Sequence, residues 1–258
     1  MAWGQRARTG LCACTDTGEV LGSASVVNDD DIVAWISEYD DGDLILAVDA
    51  PVVVPNAAGS RWCEKMMTGV FGSFHAGAYP SNTSMAAFAN GPRAARLAER
   101  LRATVDLDAA PQANGRRVIE VYPHAAMVVQ FQLERILPYK SRKGRDLASR
   151  RHAFNRLTDL MESMATADPP LRAAPSPRWA ELLTVVALAT NQAGLDRVED
   201  ELDAYMCAYV GLLYWWMGIG ERCAVMGDAT TGFIVTPMSA PHAERLNGWR
   251  ATHAMMRT

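Results

Sequence analysis

Leu44-Ile45-Leu46-Ala47-Val48-Asp49-Ala50-Pro51 is the stretch on which the fold turns. Its continuous apolar run reads as a short strand buried on both faces of a sheet. The run closes on Asp49, which puts an acid at the carboxyl end of a central strand. In open α/β sheets that is the edge where ligands bind. A second run, Arg117-Val118-Ile119-Glu120-Val121-Tyr122, has the same character and carries Glu120. An interior carboxylate is costly unless paired, so Glu120 is either functional or salt-bridged.

Upstream of these strands, Thr9 to Val27 reads as a hairpin turning at Asp16-Thr17-Gly18-Glu19. Asp29-Asp30-Asp31 opens a short helix, where acids suit the macrodipole. Between the strands, residues 55–115 read as a helical and loop insertion, with helices over 60–70 and 92–104 and a Gly/Ser/Ala/Asn-rich loop over 71–90. Pro123 starts a helix after the second strand, and a further helix is expected over 146–164. Residues 168–177 connect, 179–189 form a buried helix, and the longest helix runs from Val198 to Met217. Gly232-Phe233-Ile234-Val235-Thr236-Pro237 is a closing strand. This order predicts one α/β domain over 1–258, a mixed sheet flanked by helices.

Composition narrows the function. With 258 residues, of which 49% are hydrophobic and 21% charged, the chain has ample material for a core. A formal net charge of −4 disfavours a globally basic nucleic-acid binder but leaves room for a local patch. No apolar run is long enough to span a membrane, and Met1 to Arg6 lacks the apolar stretch of a signal peptide. The five cysteines match no zinc spacing, and buried thiols in a reducing cytoplasm are the expectation.

Asp200 and Asp203 lie three residues apart on the longest helix, on one face, and Asp203 borders its buried side. An acid there needs a partner, and a divalent metal is one kind. Lys140, Arg142, Lys143, Arg145, Arg150 and Arg151 form a basic cluster that would suit the phosphates of a nucleic acid, or would make a solvated face. Arg61 and Glu64 are spaced to pair on a helix. The five histidines are scattered, so zinc catalysis is disfavoured, and there is neither a nucleophile elbow nor a P-loop. The missing glycine-rich phosphate loop also ranks small-molecule phosphotransfer last.

Ala47-Val48-Asp49-Ala50-Pro51, Arg61-Trp62-Cys63-Glu64 and Glu120-Val121-Tyr122-Pro123-His124-Ala125 resemble the predicted RNase H-like nucleases of domain-of-unknown-function family 429. Tyr139-Lys140 with Lys143-Gly144-Arg145, Asp200-Glu201-Leu202-Asp203-Ala204 and the closing 232–237 strand fit the same pattern, in the same order. The resemblance implies an RNase H-like mixed five-stranded sheet and a two-metal site. It places Asp49, Asp203 and Asp200 as ligands of Mg²⁺ or Mn²⁺ and Glu120 at a motif position. Such families open with a strand carrying Gly-Val-Asp before a segment like Ala2-Trp3-Gly4, so the first strand is expected to be truncated here and its acid missing.

Two expectations follow. The first is a metal-dependent nuclease in which Asp49, Asp203, Asp200 and Glu120 are catalytic and Lys140, Arg142, Lys143, Arg145 and Arg61 bind substrate. The second is a catalytically degenerate module of the same fold that binds nucleic acid or protein.

Overall fold

The structure, a computed structural model, describes residues 7–253. The expected remnant of a first strand at Ala2-Trp3-Gly4 lies outside these residues.

The N-terminal hairpin pairs β1 (Thr9–Cys14) with β2 (Val20–Val26) antiparallel. Helix α1 (Asp29–Ser37) follows, with the Asn28 side chain accepting a hydrogen bond from the Asp31 N–H at its start. The decisive apolar run is strand β3 (Leu44–Val48), paired in parallel with β4 (Arg116–Glu120), Val48 opposite Glu120. The intervening segment holds α2 (Trp62–Phe71) and α3 (Arg93–Arg100). Asp49 follows β3 directly and Glu120 ends β4, so two acids leave the sheet at neighbouring positions. Helix α4 (Pro123–Gln130) begins with proline, whose missing N–H is no loss in a first turn.

After α4 come α5 (Leu147–Ser163), α6 (Pro177–Leu188) and α7 (Gln192–Met217). Helix α7 starts six residues before the sequence expectation, because the Asn191 side chain caps the Gly194 N–H. The polar turn between the cap and Val198 is a legitimate helix start that apolar spacing alone misses. Helix α7 is the spine of the core, with Leu202, Tyr205, Met206, Tyr209 and Val210 almost wholly buried. Strand β5 (Cys223–Asp228) and helix α8 (Ala240–His253) are elements the sequence reading does not contain; β5 pairs antiparallel with β6 (Gly232–Pro237).

The chain is thus mixed α/β. Among the described residues its strands form three two-stranded ladders, rather than the single five-stranded sheet implied by the resemblance. A parallel bridge from Val121 to Val235 links the second ladder to the third. Between β1 and β3 runs a groove of about 510 Å³, to which α7 contributes Asp200, Asp203, Ala204, Cys207 and Gly211. Helix α7 reaches the hairpin closely: a Cβ on Gly10 would lie 1.9 Å from the Asp200 carbonyl oxygen. Only glycine permits that approach, and it fixes the acidic turn of α7 against β1. No helix among the described residues is long and apolar enough to cross a membrane.

Candidate functional site

A cleft of about 390 Å³ opens where β3 and β4 end. Asp49 enters from the end of β3, Glu120 from the end of β4, Tyr122 and His124 from the start of α4, and Lys140, Arg142 and Arg145 from the loop before α5. Asp49 also lines the groove along α7, so it stands between the two cavities.

The acids divide into two groups. The first is built around Arg61, which precedes α2. Its Nη1 donates to Glu120 Oε2 at 2.8 Å and its Nη2 to Glu120 Oε1 at 2.5 Å. Its Nε donates to Glu64 Oε1 at 2.8 Å, and Nη1 also reaches the Val53 carbonyl at 2.9 Å. Glu64 accepts from the Arg61 and Ser81 backbone N–H groups and from Ser81 Oγ, and Glu120 from the Val52 N–H. Arg61, Glu64 and Glu120 are 3%, 1% and 4% exposed, so this is a closed network. Burial pushes the Glu120 carboxyl up, to about 7, against the opposing pull of Arg61. The pairing of Arg61 with Glu64 anticipated from spacing is present, with Glu120 completing it. Arg61 and Glu120 form the inner wall of the cleft, and their polar atoms are engaged with each other.

The second group is Asp203, Asp49 and Asp200. Asp203 is buried on α7, where Tyr139 Oη donates to its Oδ1 at 2.5 Å and Lys140 Nζ lies 2.5 Å from its Oδ2. Burial opposes ionisation of Asp203, yet the Lys140 ammonium, helped by the Tyr139 hydroxyl, holds its carboxyl below the usual range. Asp49 and Asp200 are pushed the other way. Burial raises the Asp49 carboxyl, and the charges of Asp203 and Asp200 raise it further while Lys140 opposes them. Burial raises Asp200 as well, with Asp203 adding and Lys140 resisting. These three acids share one field, which the Lys140 ammonium opposes.

The basic cluster also separates. Arg150 is fully buried and is structural: it donates to the Tyr139 carbonyl at 2.7 Å and pairs with Asp196 at 2.7 Å and Glu199 at 3.0 Å. Arg151 turns away to the Ala189 carbonyl. Lys140 is committed to Asp203. Arg142, Lys143 and Arg145 remain, with no carboxylate within ion-pair distance among the described residues.

Sequence reading missed several cleft residues. Tyr79 stands on the lip and Glu199 accepts from the Ser141 N–H at 3.1 Å, while Tyr139, wholly buried and not itself in the cleft lining, reaches Asp203. His124 packs against Tyr122 and Tyr139, both ring centroids 5.7 Å away. Its Nδ1 is enclosed without a hydrogen-bond partner. Burial lowers its pKa to about 4; Asp203 opposes this, while Lys140, Arg142 and Arg145 add to it. A usable signal was present: Tyr122-Pro123-His124 follows a strand-end acid directly, so its side chains must project at the same sheet edge.

Among the described residues, no group of three His, Cys, Asp or Glu side chains is spaced as a complete metal-ligand set. Mg²⁺ asks for less, since one or two carboxylates suffice when water and a substrate phosphate complete the shell. Asp49 and Asp203, coupled in charge, meet that demand in donor type.

The model of the family described as protein of unknown function (DUF429) matches residues 5–230, most of the chain, and the chain belongs to that family. No curated protein matches it, and no solved structure does.

Proposed function

We propose that the protein is a metal-dependent nuclease with an RNase H-like arrangement of its acids. The observation that carries this reading is the placement of Asp49 at the end of a parallel strand, where it lines one groove with Asp203 and Asp200 of the long helix and also the cleft that carries Arg142 and Arg145, which have no carboxylate in ion-pair distance among the described residues. Asp49 and Asp203, with Asp200 beside them, would hold Mg²⁺ or Mn²⁺. When bound, such an ion supplies charge stabilisation for phosphodiester hydrolysis. Lys140 neutralises Asp203 in the resting site, and would be released to meet a substrate phosphate were a cation held by Asp203. Arg142 and Arg145 orient the phosphate backbone. Tyr139 fixes the Asp203 rotamer through its short hydrogen bond. Glu120 and Arg61 hold the β4 edge and the start of α2 in place, so that Asp49 keeps its position.

The test is cleavage of single- and double-stranded DNA and RNA with Mg²⁺ or Mn²⁺. Metal-dependent products are expected from the unaltered chain and none from Asp49→Asn or Asp203→Asn. No cleavage of any substrate, or equal cleavage by Asp49→Asn, overturns the reading. The Lys140–Asp203 ion pair supports a second reading, in which the cleft binds nucleic acid without turnover. Binding with no metal-dependent products would select it.

A further inference from the structure

Resting on the nucleic-acid reading of this cleft, we propose that it takes a single strand, with one unstacked base lying on the ring of Tyr79 and the adjoining phosphates on Arg142 and Arg145. Tyr79 is 63% exposed, a large ring left in solvent. A lone exposed aromatic ordinarily means nothing. This one lines the cleft, and its hydroxyl accepts a hydrogen bond from Arg142 Nη2 at 3.0 Å, so a planar ring and a cation are held side by side.

The cations are also prearranged. The loop carrying them is pinned at several points: Arg145 Nη1 donates to the Lys140 carbonyl at 2.7 Å, Gln192 Nε2 to the Arg145 carbonyl at 3.0 Å, and the Ser141 N–H to Glu199 at 3.1 Å. Gly144, at φ +88, makes the turn that only glycine takes easily. A pinned loop whose arginines have no carboxylate partner among the described residues, in a chain of net charge −4, is suited to an anion. Ring and cations together fit a ligand that alternates planar bases with phosphates. Bases inside a duplex are stacked and paired and cannot reach a ring on the lip, whereas those of a single strand can.

The experiment is fluorescence anisotropy in EDTA, which prevents cleavage, with three probes: labelled oligothymidine, its abasic counterpart and the same sequence in a duplex. The unaltered protein is expected to bind oligothymidine about tenfold more tightly than the abasic strand, the worth of one stacked base. Tyr79→Ala should bring the two affinities together. Tyr79→Phe, which keeps the ring, should preserve the preference. Arg145→Ala should weaken both single strands by a similar factor and lower the salt slope by about one. Equal binding of the base-containing and abasic strands, tighter binding of the duplex, or a Tyr79→Ala loss shared equally by both strands overturns the inference. Cleavage then still judges the nuclease reading on its own. Failure of all three probes to bind likewise overturns the inference, with cleavage of DNA and RNA in Mg²⁺ or Mn²⁺ still judging the nuclease reading.

Discussion

Two groups of acids sit on neighbouring cavities that meet at Asp49, and they are built on opposite principles. Around Arg61, the oxygens of Glu64 and Glu120 meet the guanidinium, backbone N–H groups and the Ser81 hydroxyl. Around Asp203, three acids share a field in which Asp203 raises the carboxyls of Asp49 and Asp200 and the Lys140 ammonium opposes it. A satisfied network has no affinity left over and serves to hold geometry. Acids that raise one another's carboxyls retain affinity for a cation or for a group that brings one. Under the proposed reading the first serves as scaffold and the second as chemistry, although sequence alone ranks Glu120 with Asp49, Asp200 and Asp203.

The largest way to break this comparison is Arg61→Ala. It strands two buried carboxylates at once, and leaving such a pair unpartnered costs about 3–5 kcal/mol. Urea unfolding should therefore show a stability loss of that size. A loss below about 1 kcal/mol means that the network is not the scaffold it is taken for.

The legible part of the molecule was the part written in apolar runs. Leu44–Val48 announces a strand because nothing polar interrupts it, although only Val48 is buried and Leu44 to Ala47 line the groove beside β1; β4, α5 and α6 were legible as elements too. Strand β5 escaped because Cys223–Asp228 is half small residues and has Gly227 at φ +86 next to its end, which weakens the alternation. Helix α8 escaped because it buries little beyond His242 and Leu246. Asp49, Asp200 and Asp203 were legible as acids at strand and helix positions where water is scarce. The roles of Arg150 and Lys140 were not, since a run of cations in sequence looks alike whether each faces solvent, Asp196 or Asp203. Tertiary partners decide that, and these partners lie some 46 and 63 positions away along the chain.

His124 offers a smaller effect that sharpens the open side of the comparison. Its folded value of about 4 lies below the ordinary 6.5. Between those values the unfolded chain takes up a proton that the native state refuses, so stability contributed by neutral His124 is complete above pH 6.5 and lost as pH falls toward 4. The swing is about 3 kcal/mol at most. Glu120, raised to about 7 by burial, titrates across an overlapping window in the opposite sense. The observable is therefore the difference in stability between the unaltered protein and His124→Phe, measured from pH 7.5 to 4, roughly the span of the shift. That difference should shrink on acidification; a flat one contradicts a buried neutral imidazole.

The smallest effect is the most discriminating. Asp49→Asn removes a charge that burial disfavours and that Asp203 and Asp200 repel. Replacing a strained functional group commonly leaves a protein as stable or slightly more so. Thermal unfolding of Asp49→Asn should accordingly match the unaltered chain or exceed it by up to about 1 kcal/mol, while any metal-dependent cleavage disappears. Losing activity without losing stability is the mark of a side chain kept for its chemistry. A destabilisation above about 2 kcal/mol would instead mean that its charge is held for the fold, as those of Glu64 and Glu120 are. The division of the acids into a closed and an open group would then collapse.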